Sequence, residues 1–253
     1  MKASEHIEAL AGEGLLLASA AEAAGVDASV PTCPEWAVRD LVRHTGGVHR
    51  WATTYVSDAV VDVIDDDLEP LVGGWPPDDE LVPWFREGHA LLVDALWAAP
   101  ADLECFTFLK APSPLQMWAR RQAHETTIHR VDAEAAAGWL TPPSPDLASD
   151  GIDELLTCFI TRRGNRFRLD PPRTIAVCAS DAGTGWTVTI GPDKITTERS
   201  PSPSPSDAAL TVTGEASSLY LWLWNRTDAS NLTHTGDDSL LTAWRDGVRV
   251  RWS

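Results

Sequence analysis

Cysteine is scarce and scattered in this chain. The 253 residues hold four, Cys33, Cys105, Cys158 and Cys178, with no CxxC and no paired spacing. Such usage reads as thiols in a reducing compartment and argues against a thiolate metal site or a disulfide framework. Basic residues are also few: 20 Lys and Arg stand against 37 Asp and Glu, a formal net charge of -17. A surface of that sign repels phosphate backbones and anionic headgroups, so neither nucleic acid nor membrane is an expected partner. Long apolar runs are missing too. The most apolar windows, LLLASAAEAAG and LYLWLW, fall short of the ~20 residues a membrane span needs. The start, MKASEHIEAL, has no basic segment leading into an apolar one. It does not read as a signal peptide, and a cytoplasmic protein is expected.

What the chain does have is apolar content and tryptophan. Hydrophobic residues make up 43%, enough for a sizeable core, and twelve tryptophans are expected in core or pocket wall. Residues 4 to 24 carry apolar residues at helical spacing and stop near Gly25. A second helix is expected to begin around Thr32 to Trp36, with Thr32 as cap and Pro34 in the first turn. An acidic, Gly/Pro-rich stretch at 62–79 ends it; a third helix follows, with Pro83 near its start and Pro100 beyond its end. Ser113-Pro114 opens a fourth, and Gly138 stops it. The segment TPPSPD reads as a linker into a further helix, ASDGIDELLTCFITRR. Beyond it, RTIAVCAS and GWTVTIG read as a hairpin and ALTVTG as a strand. EASSLYLWLWNRT and DDSLLTAWRDG read as helices, SPSPSPSD as a low-complexity loop and VRVRW as a closing strand. The expected fold class is α+β: an antiparallel four-helix bundle over residues 1–145, then a smaller α+β domain over 146–253.

The most informative segment is RRQAHETTIHRVD, residues 120–132. A helix turns about 100° per residue, so Glu125 and His129 stand one turn apart on one face, ~5–6 Å apart at Cβ, and can reach one cation. His124 suggests a zinc-protease motif, but HETTIH has one residue more than HExxH, and His124 and His129 lie ~140° apart around the helix. A catalytic ion needs about three protein ligands and an open position. The best third ligand is His44, in DLVRHTGGVHRW. Asp40, four residues earlier on the same face, is a candidate to orient the imidazole. His49 is a rival, ~140° around from His44. Gly46 and Gly47 in a helix interior cost roughly 1 kcal/mol each and make sense if something bulky passes close to the backbone. His6, His89 and His234 have no partner spacing. Spacing alone leaves open an ordinary exposed Glu–His pair.

Two stretches together carry more. PTCPEWAVRDLVRHTGGVHRWA, followed about 80 residues later by WARRQAHETTIHRVDAE, resembles the mycothiol-dependent maleylpyruvate isomerase family in order, spacing and flanking residues. The resemblance implies a DinB-like helical bundle at the N-terminus. It puts the metal ligands on His44, Glu125 and His129. Asp132 matches the family's HRxD ending, where hydrogen bonding and helix capping are both open roles. LTVTGEASSLYLWLWNRTD resembles the family's C-terminal strand, turn and helix, which ends near a functional arginine; here that position is Arg226. Family members commonly carry Gly-Arg there, whereas this chain has Asn225-Arg226.

The resemblance implies a divalent metal, by preference zinc, with mycothiol as cosubstrate. A thiol of pKa near 8.5 is mostly protonated at neutral pH, and an ion with one open position can bind and deprotonate it. Arg226 is implied as the catalytic residue that holds a substrate carboxylate or enolate. The expected partners are thus a small-molecule thiol and an electrophilic substrate, for isomerisation or S-transfer. Two other classes stay open: a metal-dependent hydrolase with His124 or Asp40 as base, and a non-catalytic metal or small-molecule binding protein.

Overall fold

A computed structural model describes residues 1–64, 67–162, 164–201 and 208–248. The chain divides into two compact units, Met1–Thr141 and Pro142–Ser253. The break falls within TPPSPD, a few residues before the expected 145/146 boundary.

Four long helices build the first unit: α1 (Ala3–Ala24), α2 (Val38–Ser57), α4 (Leu81–Ala98) and α5 (Pro114–Ala137), with a short α3 (Leu68–Leu71) in the acidic connection. They pack in a ring, α1 on α5 and α4, α2 on α4 and α5. Side-chain pairings give the directions. α2 and α5 run antiparallel, since His44 meets Glu125 and Tyr55 meets Trp118. α1 and α4 do likewise, through Leu10–His89 and Glu22–Arg86. α1 and α5 run parallel, since His6 meets Gln116 and Glu13 meets Arg130; so do α2 and α4, where Gly46 meets Trp84 and Arg50 meets Glu87. The long connection at 58–80 allows the latter, because a short loop returns the chain antiparallel and a long one frees it. Leu10, Leu17, Leu41, Val42 and Phe85 are wholly buried among these helices. No helix among the described residues is long and apolar enough to cross a membrane.

Local signals account for the ends of α5. Ser113 accepts the Gln116 amide at 3.2 Å, Pro114 occupies the first turn, and Gly138 ends the helix at φ 90. The start of α2 departs from expectation: it begins at Val38, and Thr32 is not its cap. Residues 29–37 instead fold back as a compact loop, with Val30 N–H on the Trp36 carbonyl and Trp36 N–H on the Cys33 carbonyl. The helix N-terminus is closed by Asp40, whose carboxylate accepts the Ala37 amide at 2.9 Å. The bulky group beside Gly46 is Trp84, whose ring fills the place a Cβ would take.

In the second unit α6 (Pro145–Glu154) runs into a wider turn at Leu155–Phe159. A five-stranded sheet follows in the order β3-β2-β1-β4-β5. β1 (Arg173–Ala179), β2 (Thr184–Ile190) and β3 (Ile195–Ser200) form an antiparallel meander, β4 (Leu210–Gly214) lies parallel to β1, and β5 (Thr233–Gly236) lies antiparallel to β4. α7 (Ala216–Leu223) and α8 (Ser239–Gly247) complete it. β3 and β5 escaped the sequence reading. ITTERS and THTG are too polar to alternate clearly, and their pairing partners rather than their own pattern make them strands. All but the first residue of the expected closing strand VRVRW, and most of SPSPSPSD, lie outside the described residues.

Candidate functional site

α5 sets out its functional side chains one turn apart. Arg121, Glu125 and His129 follow at i, i+4 and i+8, all buried on a single face. α2 runs antiparallel beside it and brings His44 opposite Glu125. His44 Nε2 and His129 Nε2 each lie 3.2 Å from the same atom, Glu125 Oε1. The three donor atoms fall within 4.8 Å of one another. Glu125 Oε2 turns the other way and accepts from Arg121 Nη2 at 3.1 Å. Behind His129, Nδ1 faces Asp132 Oδ2 at 3.0 Å, and Asp132 Oδ1 accepts the Thr32 hydroxyl at 2.5 Å. From the folded-back loop, the Trp36 indole walls the pocket, 5.1 Å from the His44 ring and 6.0 Å from that of His129.

The electrostatics follow from burial and partners. Burial works against a charged Glu125. Hydrogen bonds from His129 and His44, with the Arg121 guanidinium beside it, outweigh burial and hold the carboxyl well below its usual range. Burial likewise disfavours an imidazolium at His129, but Asp132 and Glu125 overcome it and push the group up to about 9. His44 is lowered, chiefly by burial, and stays neutral at pH 7. The pocket therefore favours positive charge strongly enough to keep a proton on His129.

The donor set fits a divalent ion of the zinc type: two imidazole nitrogens and one carboxylate oxygen, the usual ligands of such sites. The spacing fits as well, because donors ~2.0–2.1 Å from a tetrahedral ion lie about 3.3 Å apart. The His129 Nδ1–Asp132 pairing fixes a proton on Nδ1, so an ion that displaces the Nε2 proton, otherwise donated to Glu125 Oε1, would meet the tautomer that ligation requires.

Among the described residues, the structure thus gathers His44, Glu125 and His129 at one point. His49 is elsewhere in the bundle, with Nε2 on the Thr126 hydroxyl at 2.9 Å and its ring 5.5 Å from that of His89. Asp40, considered as the partner of His44, closes the start of α2. The carboxylate paired with a converging histidine is Asp132, and that histidine is His129. His124 packs edge-on to the His6 ring at 5.8 Å, on another face of α5. Three neighbours were missed. Arg121 had a readable signal, standing four residues before Glu125; Thr32 was read as a cap, and Trp36 only as one tryptophan of twelve.

Comparison with known proteins agrees with this architecture. The sequence profile of the mycothiol maleylpyruvate isomerase N-terminal domain matches residues 7–134. The chain belongs to the mycothiol maleylpyruvate isomerase family. The profile of the MDMPI C-terminal domain, from the same family, matches residues 146–243. A crystal structure of the mycothiol-dependent maleylpyruvate isomerase superposes with a TM-score of 0.64 at 12% identity, covering 93% of each chain. A histidine-to-alanine mutant of that isomerase gives a TM-score of 0.65, again at 12% identity and 93% of each chain. At such identity the likeness is one of fold. No curated protein matches the chain by sequence.

Membership in the isomerase family bears on Arg226, which follows α7 in the second unit. Its predecessor Asn225 adopts φ 59, the left-handed region that glycine enters freely and asparagine tolerates best among the other residues. Asn225 also donates its side-chain amide to the Val248 carbonyl at 2.7 Å. The left-handed conformation is therefore kept without the glycine, and Arg226 N–H closes it on the Leu221 carbonyl at 2.8 Å. The Arg226 guanidinium donates to the Trp224 carbonyl at 2.8 Å.

Proposed function

We propose that this protein is a mycothiol-dependent isomerase whose helical unit holds one divalent metal ion, with zinc the best match, through His44 Nε2, Glu125 Oε1 and His129 Nε2. The observation that carries this reading is the convergence of two imidazole nitrogens on one carboxylate oxygen, each 3.2 Å from it. Family membership and the names of the two superposed structures support the thiol and the isomerisation. When bound, the ion supplies a Lewis acid that keeps a thiol ionised at neutral pH.

The chain's own residues do the rest. Asp132 keeps the His129 Nδ1 proton and so commits Nε2 to ligation. Thr32 holds Asp132, and the Trp36 indole forms an apolar wall that keeps water from one side of the pocket. Arg226 is proposed to hold a carboxylate or enolate oxygen of the substrate. For isomerisation the sulfur adds to a conjugated double bond, rotation follows, and the sulfur leaves with its electron pair. An S-transferase would share the first step. A hydrolase loses support, because Asp40 is spent on the start of α2 and His124 lies on a different face from the ligands.

The test is turnover of maleylpyruvate by zinc-loaded protein with and without mycothiol. Conversion that requires both thiol and metal is expected. Conversion that ignores mycothiol, or none at all, would overturn the proposal.

A further inference from the structure

We infer that Arg121 is a positioning residue that restricts Glu125 to a single ligating oxygen, so that the ion keeps a position open. The inference rests on the metal reading above. A carboxylate can meet an ion with one oxygen or with both, and a two-oxygen grip would take the place a substrate atom needs. At Glu125 the two oxygens have separate duties. Oε1 lies 3.2 Å from both histidine nitrogens, while Oε2 is held from the opposite side by Arg121 Nη2 at 3.1 Å. Both side chains are nearly inaccessible to bulk solvent, 1% and 3% exposed, so the pairing is weakly screened. The pairing is i,i+4 on the helix that also carries His129, so the backbone itself sets the distance. The guanidinium has a second effect. It offsets the charge of Glu125, so the carboxylate neutralises less of the ion's own charge and an anionic thiolate is held more firmly.

The test uses the full-length, metal-free protein titrated with cobalt(II) and read by visible absorption, which reports coordination number without any turnover. Wild type is expected to give the intense band of a four-coordinate site. Arg121→Met is expected to give a band several times weaker, typical of a higher coordination number, while Arg121→Lys, which keeps one charged donor, restores the intense band. An identical intense band in Arg121→Met overturns the role of Arg121 and leaves the metal site standing. Absence of cobalt uptake by wild type overturns the metal reading and this inference with it. Should Arg121→Met not fold, X-ray absorption of the zinc-loaded wild type decides: one carboxylate oxygen in a four-atom shell at ~2.0–2.2 Å supports the inference, and two carboxylate oxygens overturn it.

Discussion

Two helices of this protein are sunk in their units to a similar degree and made of opposite materials. α7 buries Leu219, Tyr220, Leu221, Trp222 and Leu223. α5 buries 17 of its 24 residues, among them Arg121, His124, Glu125, His129, Arg130, Asp132 and Glu134. Folding energetics explain α7 fully, since apolar area removed from water stabilises by roughly 25 cal/mol per Å². They do not explain α5. A buried ion pair roughly breaks even or costs stability relative to apolar residues of the same size. Part of its polarity is architectural: Arg130 reaches Glu13 at 2.8 Å and Glu134 at 2.8 Å, tying α5 to α1. Glu125 Oε1 and His129 Nε2 instead point to one place, where His44 Nε2 from α2 meets them. The contrast separates a helix composed for packing from one composed for chemistry.

The largest expected effect breaks the chemistry alone. His44→Ala and His129→Ala should each remove essentially all tightly bound metal from the folded protein, read by elemental analysis after dialysis. A variant that keeps the full complement would put its histidine outside the site. Next comes a change confined to packing. Trp244 is fully buried, with its indole N–H on the Leu223 carbonyl at 3.0 Å. Trp244→Ala should cost about 3–5 kcal/mol in denaturant unfolding and leave metal stoichiometry of the folded fraction unchanged. Loss of metal in that variant would erase the distinction.

A smaller effect is expected at the orienting carboxylate. Asp132→Asn keeps the shape but weakens the hold on the His129 tautomer, and should lower metal affinity on the order of 10–100-fold. An affinity equal to wild type would reduce Asp132 to a loop anchor for Thr32. The gentlest test is pH. His129 is raised from 6.5 to about 9 in the folded chain, so its contribution to stability is complete below about 6.5. That contribution is lost as pH rises through 9, at about 1.4 kcal/mol per pH unit at the steepest. Metal-free wild type should therefore lose stability relative to His129→Gln across that window. Metal affinity should rise over the same range, because the ion displaces the His129 proton. A flat difference between the two proteins would show that His129 is not protonated in the absence of metal.

Much of the fold is legible in the residues because it rests on local rules. Ser113-Pro114 and Gly138 bracket α5 by capping chemistry alone, and RTIAVCAS and GWTVTIG are β-branched runs whose Gly-containing turn signals a hairpin. Where the reading failed, longer-range contacts had won. Thr32 has the chemistry of a cap, yet its hydroxyl is spent on Asp132, 100 residues away. ITTERS becomes a strand only because β2 offers it a ladder. VRVRW lies, after Val248, beyond the described residues and tests nothing.

The amino-acid order by itself determined which groups could share an ion from one helix. The i,i+4 period puts Arg121, Glu125 and His129 in line whatever surrounds them. It also determined the α+β division, since helical periodicity gives way to β-branched alternation after residue 170. Tertiary structure alone decided the rest. Which histidine of α2 faces Glu125 depends on how two helices pack, a rotation that sequence spacing leaves free; the packing selects His44 and turns His49 towards Thr126 and His89. It also decided that Asp132, rather than Asp40, sits behind one of the converging histidines, because a carboxylate's partner is whatever burial brings within reach.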